Sequence, residues 1–171
     1  KYVTSRLDPD SPELTLRGAY GSYNQIDLLA QGSMPVTDKL RIGGAIASYN
    51  RDGYGENLNT GADHYDKDVL AGRVSVEFQP YDNAFFRLAY DRVEDRSNPR
   101  HGHREVAGVG PGAGVPGSVY DTYAGLGDRN KVTNEGVSLT AQVDLNDVWS
   151  FKSITAYRTG DTDTLIDFDN T

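Results

Sequence analysis

The sequence predicts an all-β protein, an antiparallel up-and-down meander that forms part of a large transmembrane β-barrel. Three observations predict it. Apolar residues recur at every second position rather than at helical spacing, so each segment has one apolar and one polar face. The alternating segments run to about 10 residues, near the roughly 9–11 that a tilted strand needs to cross a bilayer and longer than the ~5–6 of a globular strand. The connections alternate between tight turns and long polar loops, as in a barrel with its turns on one side of a membrane and its loops on the other.

The segments follow in order. The first sets Leu14, Leu16, Gly18 and Tyr20 against Glu13, Thr15, Arg17 and Ala19. In the second, Ile26, Leu28 and Ala30 alternate with Gln25, Asp27 and Gln31, and Leu29 interrupts the pattern. The third sets Leu40, Ile42, Gly44 and Ile46 against Arg41, Gly43, Ala45 and Ala47. The fourth has Leu70, Gly72, Val74, Val76 and Phe78 opposite Arg73, Ser75 and Glu77. Phe86, Leu88 and Tyr90 define the fifth, and Val137, Leu139, Ala141, Val143 and Leu145 the sixth. The seventh, from Trp149 to about Arg158, has ambiguous facing, because Phe151 and Tyr157 share one parity and Ile154 and Ala156 the other. A helical reading fails on the persistent alternation, on the β-branched and aromatic content, and on glycines 18, 32, 43, 44 and 72 within the runs.

Tight turns are expected at Pro35–Lys39, Pro80–Asn83 and Asn146–Val148, each with Pro, Asp or Asn in turn positions. Long loops are expected over about 51–67 and 97–134, while the first hairpin, through Tyr23 and Asn24, is short for the loop side. Aromatics cluster near segment ends: Tyr20 with Tyr23, Tyr49 with Tyr54, Phe78 with Tyr81, Phe85 with Phe86, and Trp149 with Phe151. Amphipathic rings at headgroup depth would account for this, as would the rim of a β-sandwich.

The composition sets limits on function. The 171 residues are 37% hydrophobic and 25% charged, so a packed fold is expected rather than disorder. Mean hydropathy of −0.59 does not separate a soluble protein from a barrel whose every second residue faces a polar lumen. A net charge of −8 argues against nucleic acid, which selects basic patches. The absence of cysteine removes disulfides, thiol catalysis and cysteine-ligated metals. The chain opens inside a strand-like segment and stops at Thr171 without a closing feature, so it reads as a piece of a longer protein.

Several motifs carry a resemblance. Lys1-Tyr2-Val3-Thr4-Ser5-Arg6 looks like the last plug strand of TonB-dependent outer-membrane receptors, and Gly18-Ala19-Tyr20-Gly21-Ser22-Tyr23-Asn24 is similar to the first hairpin of that family. Val36-Thr37-Asp38-Lys39-Leu40-Arg41 resembles its next periplasmic turn, and Arg51-Asp52-Gly53-Tyr54 with Asn57-Leu58 the loop that follows. Gly72-Arg73-Val74-Ser75, Pro80-Tyr81-Asp82-Asn83 and Ser153-Ile154-Thr155-Ala156-Tyr157-Arg158 resemble later strands and a turn. The motifs occur in family order over nearly the whole chain. The resemblance implies a barrel of roughly 22 strands filled by a plug. Residues 1–12 would be the end of the plug and a linker, and 13–171 the first seven or so barrel strands. It further implies location in a bacterial outer membrane and contact with lipid and lipopolysaccharide. Coupling to the TonB complex would run through parts outside this chain. The activity implied is uptake of a scarce solute, a ferric siderophore foremost, with cobalamin and saccharides as other cargoes. A passive porin-like channel, without a plug strand, and a soluble β-sandwich for binding or adhesion are the alternatives.

Site candidates are few, and no catalytic residue or cofactor is expected. No nucleophile and base lie in a recognisable context. Arg100, His101, His103 and Arg104 form a locally basic patch that could meet an anionic siderophore or a lipopolysaccharide phosphate. His101 and His103, with His64, lack a zinc signature, so a solvated loop is the simpler account. Gly108–Gly117 lacks the ending of a phosphate loop and reads as a flexible connection. Asp161, Asp163, Asp167 and Asp169 do not fit EF-hand spacing and read as an exposed loop beyond the seventh segment. Arg17, Asp27, Arg41, Arg73, Glu77, Arg87 and Asp91 share the polar parity, where a barrel would pair them inside.

Overall fold

The computed structural model describes residues 5–108 and 114–168. Lys1–Thr4 of the plug-like motif, residues 109–113 of the glycine-rich stretch and Asp169 therefore lie outside the described residues.

Among the described residues there are nine strands and no helix. They are β1 (Glu13–Gly21), β2 (Gln25–Thr37), β3 (Leu40–Arg51), β4 (Gly55–Asn57), β5 (Ala62–His64), β6 (Lys67–Tyr81), β7 (Ala84–Asp95), β8 (Asn130–Asp144) and β9 (Ser150–Thr164). Seven form one antiparallel sheet in the order β1-β2-β3-β6-β7-β8-β9, and β4 and β5 make a separate hairpin. All seven expected segments are strands. The main ones are longer than expected, β6, β8 and β9 reaching 15 residues. Pro35 and Val36 lie in β2 and Pro80 and Tyr81 in β6, so those turns shrink to Asp38-Lys39 and Asp82-Asn83. Register shifts between Pro35 and Thr37 and between Phe78 and Tyr81 absorb the irregularity, as bulges do. Asp161 and Asp163 belong to β9 rather than to a loop beyond it.

The turns have local causes. Tyr23 and Asn24 both take the left-handed backbone, at φ 59° and 52°, and Gln25 N donates to Ser22 O at 3.4 Å, the geometry of a type I′ turn. Thr37 Oγ1 accepts from the amides of Lys39 and Leu40, at 3.2 and 3.1 Å. Asn146 Oδ1 does the same for Val148 and Trp149, both at 2.9 Å.

Register aligns one apolar face across the sheet. Gly44 pairs with Val74, Val74 with Tyr90, Tyr90 with Val137 and Val137 with Tyr157. This resolves β9: Phe151 and Tyr157 join the apolar face, and Ile154 and Ala156 fall on the polar one. The apolar face is bare, with Leu14 at 74% and Tyr157 at 70% of full exposure. The opposite face holds the small core. Ser5–Leu7 lies across it, Arg6 stands over the Phe85 ring, and Ala47, Phe85 and Ala89 are buried. A Cβ at Gly43 would come within 2.9 Å of Leu7 Cδ2, so glycine there leaves room for the Leu7 side chain against β3.

Not every aromatic sits where a girdle would need it. Tyr20, Phe78, Phe86 and Phe151 lie on the apolar face. Tyr49 and Phe85 point to the polar face, under Lys67 and Arg6. Among the described residues no helix is long and apolar enough to cross a membrane, which says nothing of a β-barrel. The sheet is open: β1 and β9 each pair on one side only, and with seven antiparallel strands these edges run in the same direction.

Candidate functional site

Two features stand out, one on the polar face and one at the long-loop end. On the polar face, Glu77 is fully buried and pairs with Arg87 at 2.5 Å. The same carboxylate accepts the Leu7 amide at 3.2 Å, while Arg87 donates to Ser5 O at 2.7 Å. The ion pair therefore holds the N-terminal strap to the sheet. Higher up, Asp91 and Arg158 make a two-pronged pair, at 3.0 and 2.7 Å. Beside the strap lies a groove of about 320 Å³ lined by Arg6, Gln31, Ser33, Arg73 and Ser75. Past the strap, Asp8 accepts the amides of Asp10 and Ser11, and these bonds hold its carboxyl below the usual aspartate range.

At the long-loop end, residues 51–67 are not a plain polar loop. They fold into the β4–β5 hairpin, and the connection after β7 packs on it. Leu58 N donates to Thr122 O at 2.8 Å and Thr122 N to Glu56 O at 3.0 Å. Buried Asn57 donates to Ala124 O at 3.1 Å and to Asp128 Oδ1 at 2.9 Å. A Cβ at Gly55 would sit 2.1 Å from Tyr120 O, so no other residue allows this approach.

Two histidines anchor the cluster. His64 Nδ1 lies 2.7 Å from Tyr120 O. A carbonyl only accepts, so Nδ1 carries the proton. His101 Nδ1 accepts the Asp167 amide at 3.2 Å, which leaves the proton on Nε2, 3.7 Å from Asp128 Oδ1. That tautomer turns a proton, not a lone pair, toward the carboxylate, which does not suit His101 Nε2 as a metal ligand. Among the described residues no three His, Asp or Glu side chains converge as a metal shell. Asp66 sits at the base of the hairpin and accepts the Asn98 amide at 2.8 Å. Burial pushes its carboxyl above the usual range, Asp63 and Asp68 add to this, and the Asn98 bond opposes it.

The structure separates the predicted basic patch. Arg100 is exposed, but His101 is 3% exposed inside the cluster. His103 is partly buried with Nδ1 3.0 Å from Asp121 O, and Arg104 is partly buried. Asp167, read from sequence as part of an exposed acidic run, is buried beside His101 and accepts the Gly125 amide at 2.8 Å.

What sequence reasoning missed is a tyrosine cluster. Tyr54 stacks on Tyr65 at 4.9 Å between ring centroids and 10° between planes. Tyr120 meets Tyr54 edge-on at 5.1 Å, and Tyr23 tilts against Tyr54 at 5.9 Å. The Arg51 guanidinium stands 5.0 Å from the Tyr54 centroid and donates to Tyr65 O. Tyr65 is in the left-handed region, at φ 66°. By sequence alone Tyr23 and Tyr54 group with the aromatics near segment ends. The available signal was the recurrence of Tyr in loop segments otherwise rich in Gly, Asn and Asp. No family model, curated protein or solved structure matches this chain.

Proposed function

We propose that this chain is part of the wall of an outer-membrane β-barrel in a TonB-dependent uptake protein. The observation that carries the reading is the polarity of the seven-stranded sheet. Its bare face is a continuous field of Leu, Ile, Val, Phe and Tyr, while its sheltered face carries the Glu77–Arg87 and Asp91–Arg158 pairs. Water would select the reverse arrangement, and monomeric soluble proteins rarely expose apolar patches beyond a few hundred Å². Lipid on one side and a polar lumen on the other suit it directly. A β-sandwich would need a second sheet over the apolar face, and among the described residues the only other sheet is the short β4–β5 hairpin at the loop end. The strap Ser5–Leu7 on the lumenal face supports a plug-linked receptor over a plain porin, because a porin has no reason for such a segment.

In this reading the long-loop cluster faces outward and captures solute, and the strap leads from the plug to β1. A scarce solute is taken up, with a ferric siderophore foremost and cobalamin and saccharides the other cargoes that the resemblance implies. Refolding the chain from urea in the presence of phospholipid vesicles tests the membrane part. Vesicle flotation is expected to carry the chain with the lipid even after carbonate washing. A monomeric chain that stays in the aqueous fraction and melts cooperatively there would sink the proposal.

A further inference from the structure

Tyr23, Tyr54, Tyr65 and Tyr120 come from three different connections, the β1–β2 turn, the 51–67 loop and the segment after β7, and their rings converge at the long-loop end. Two independent features mark them. Tyr23 and Tyr65 are two of only three non-glycine residues with positive φ among the described residues, the third being Asn24 beside Tyr23. A bulky residue in that region is strained, and such strain persists where the surrounding structure enforces it, often at ligand sites. Second, none of the four phenol hydroxyls has a hydrogen-bond partner among the described residues, although Tyr23 is 55% and Tyr120 49% exposed. The Tyr23 and Tyr120 side chains are thus open to solvent at the edge of the stacked Tyr54–Tyr65 pair.

Charge narrows the ligand class. From Arg51 to Asp68 the carboxylates of Asp52, Glu56, Asp63, Asp66 and Asp68 outnumber Arg51 and Lys67. Arg51 is already engaged by Tyr54 and the Tyr65 carbonyl. An anion would meet repulsion here. A flat apolar ring would leave the hydroxyls unused. A neutral polyhydroxylated ring satisfies both features: its C–H face lies on tyrosine, and its hydroxyls bond phenols and carboxylates. We propose that this tyrosine cluster is a binding surface for a neutral saccharide. The inference names a cargo class for the uptake reading and rests on that reading only for where the sugar goes next.

Calorimetric titration of the full chain in detergent micelles tests it. The probes are neutral hexasaccharides of glucose and xylose, an anionic galacturonate hexasaccharide, catechol, and lipopolysaccharide glycan freed of its lipid. At least one neutral glycan is expected to bind. Affinity should fall tenfold or more in Tyr120→Ala and Tyr23→Gly and stay unchanged in Trp149→Ala, which lies at the opposite end of the strands. Tyr120→Phe, which keeps the ring and the packing, should lose a smaller factor, so a folding defect cannot imitate the result. Binding of the free hexasaccharides identifies cargo, and binding of the lipopolysaccharide glycan alone identifies an envelope partner; both uphold the site. The proposal falls if no neutral glycan binds, if the tyrosine variants bind as well as the parent chain, or if catechol or the anionic hexasaccharide is preferred. Vesicle flotation keeps the two readings apart. Insertion without glycan binding removes only this site, and glycan binding without insertion removes only the membrane reading.

Discussion

Glu77 is the residue on which the polar face turns. It is fully buried, accepts the Leu7 amide and pairs with Arg87. Removing one member of a buried pair strands the other charge, at a cost of about 3–5 kcal/mol. Glu77→Ala is therefore expected to lower the guanidinium unfolding midpoint sharply in detergent. Glu77→Leu combined with Arg87→Met should lose much less, because no unpaired charge remains. Equal losses in the single and double variants would show that the pair is not what holds the strap. Asp66 gives a prediction in pH. Its carboxyl is raised in the folded state by burial and by Asp63 and Asp68, so the folded state favours the protonated form. The stability this confers is fully present below the ordinary value of 3.8 and is lost as pH rises through the higher folded value. Asp66→Asn can keep the bond from Asn98 while removing the charge. It should increase hydrogen-exchange protection of the Asn98 amide at neutral pH and flatten its change on acidification. An unchanged pH profile would refute the assignment.

Strands set the two faces, and the faces respond differently to charge. Val74 sits mid-strand on the bare face and Gln31 on the polar face, and both are exposed. If the bare face meets lipid, Val74→Arg should cost about 2–4 kcal/mol, as arginine does near a bilayer midplane. Gln31→Arg should cost close to nothing. The fraction of chain inserted into vesicles over a urea series measures both. In water the ranking would vanish, since exposed positions on a soluble sheet tolerate arginine equally. Bulges at Pro35/Thr37 and Phe78/Tyr81 let prolines lie inside long strands without breaking the sheet. By sequence both prolines are expected in turns, as proline cannot donate to a ladder.

At the scale of the whole molecule, the unpaired edges matter most. β1 and β9 point the same way, so closing seven strands on themselves would need a parallel seam. Further strands, from more chain or from another copy, would satisfy these edges instead. The chain has no cysteine, so edge pairing can be read by single-cysteine cross-linking in detergent. Ala19→Cys on β1 and Ala156→Cys on β9 should give disulfide-linked dimers, and Ala45→Cys on the central strand β3 should not. Cross-linking from Ala45→Cys as readily as from the edges would argue for aggregation without order.

The sequence alone determined the seven strands of the main sheet, their order along the chain and the face of most of them, because period-two alternation is a local property that register then preserves, whereas the β4–β5 hairpin read as plain loop. It could not orient β9, where Phe151 and Ile154 point to opposite faces; pairing with β8 decided that. Arg87 and Glu77 were legible as charges on the polar face, but Glu77 was not legible as the clasp on Leu7, 70 residues away. The basic patch looked contiguous along the chain, yet the fold draws His101 in against Asp128 and Asp167 and leaves Arg100 outside. The tyrosine cluster joins residues as far apart as 23 and 120, and no local pattern encodes such a meeting. Faces follow from spacing, whereas sites in loops follow from contacts between segments distant in the chain, and those contacts exist only once the sheet brings the loops to one end.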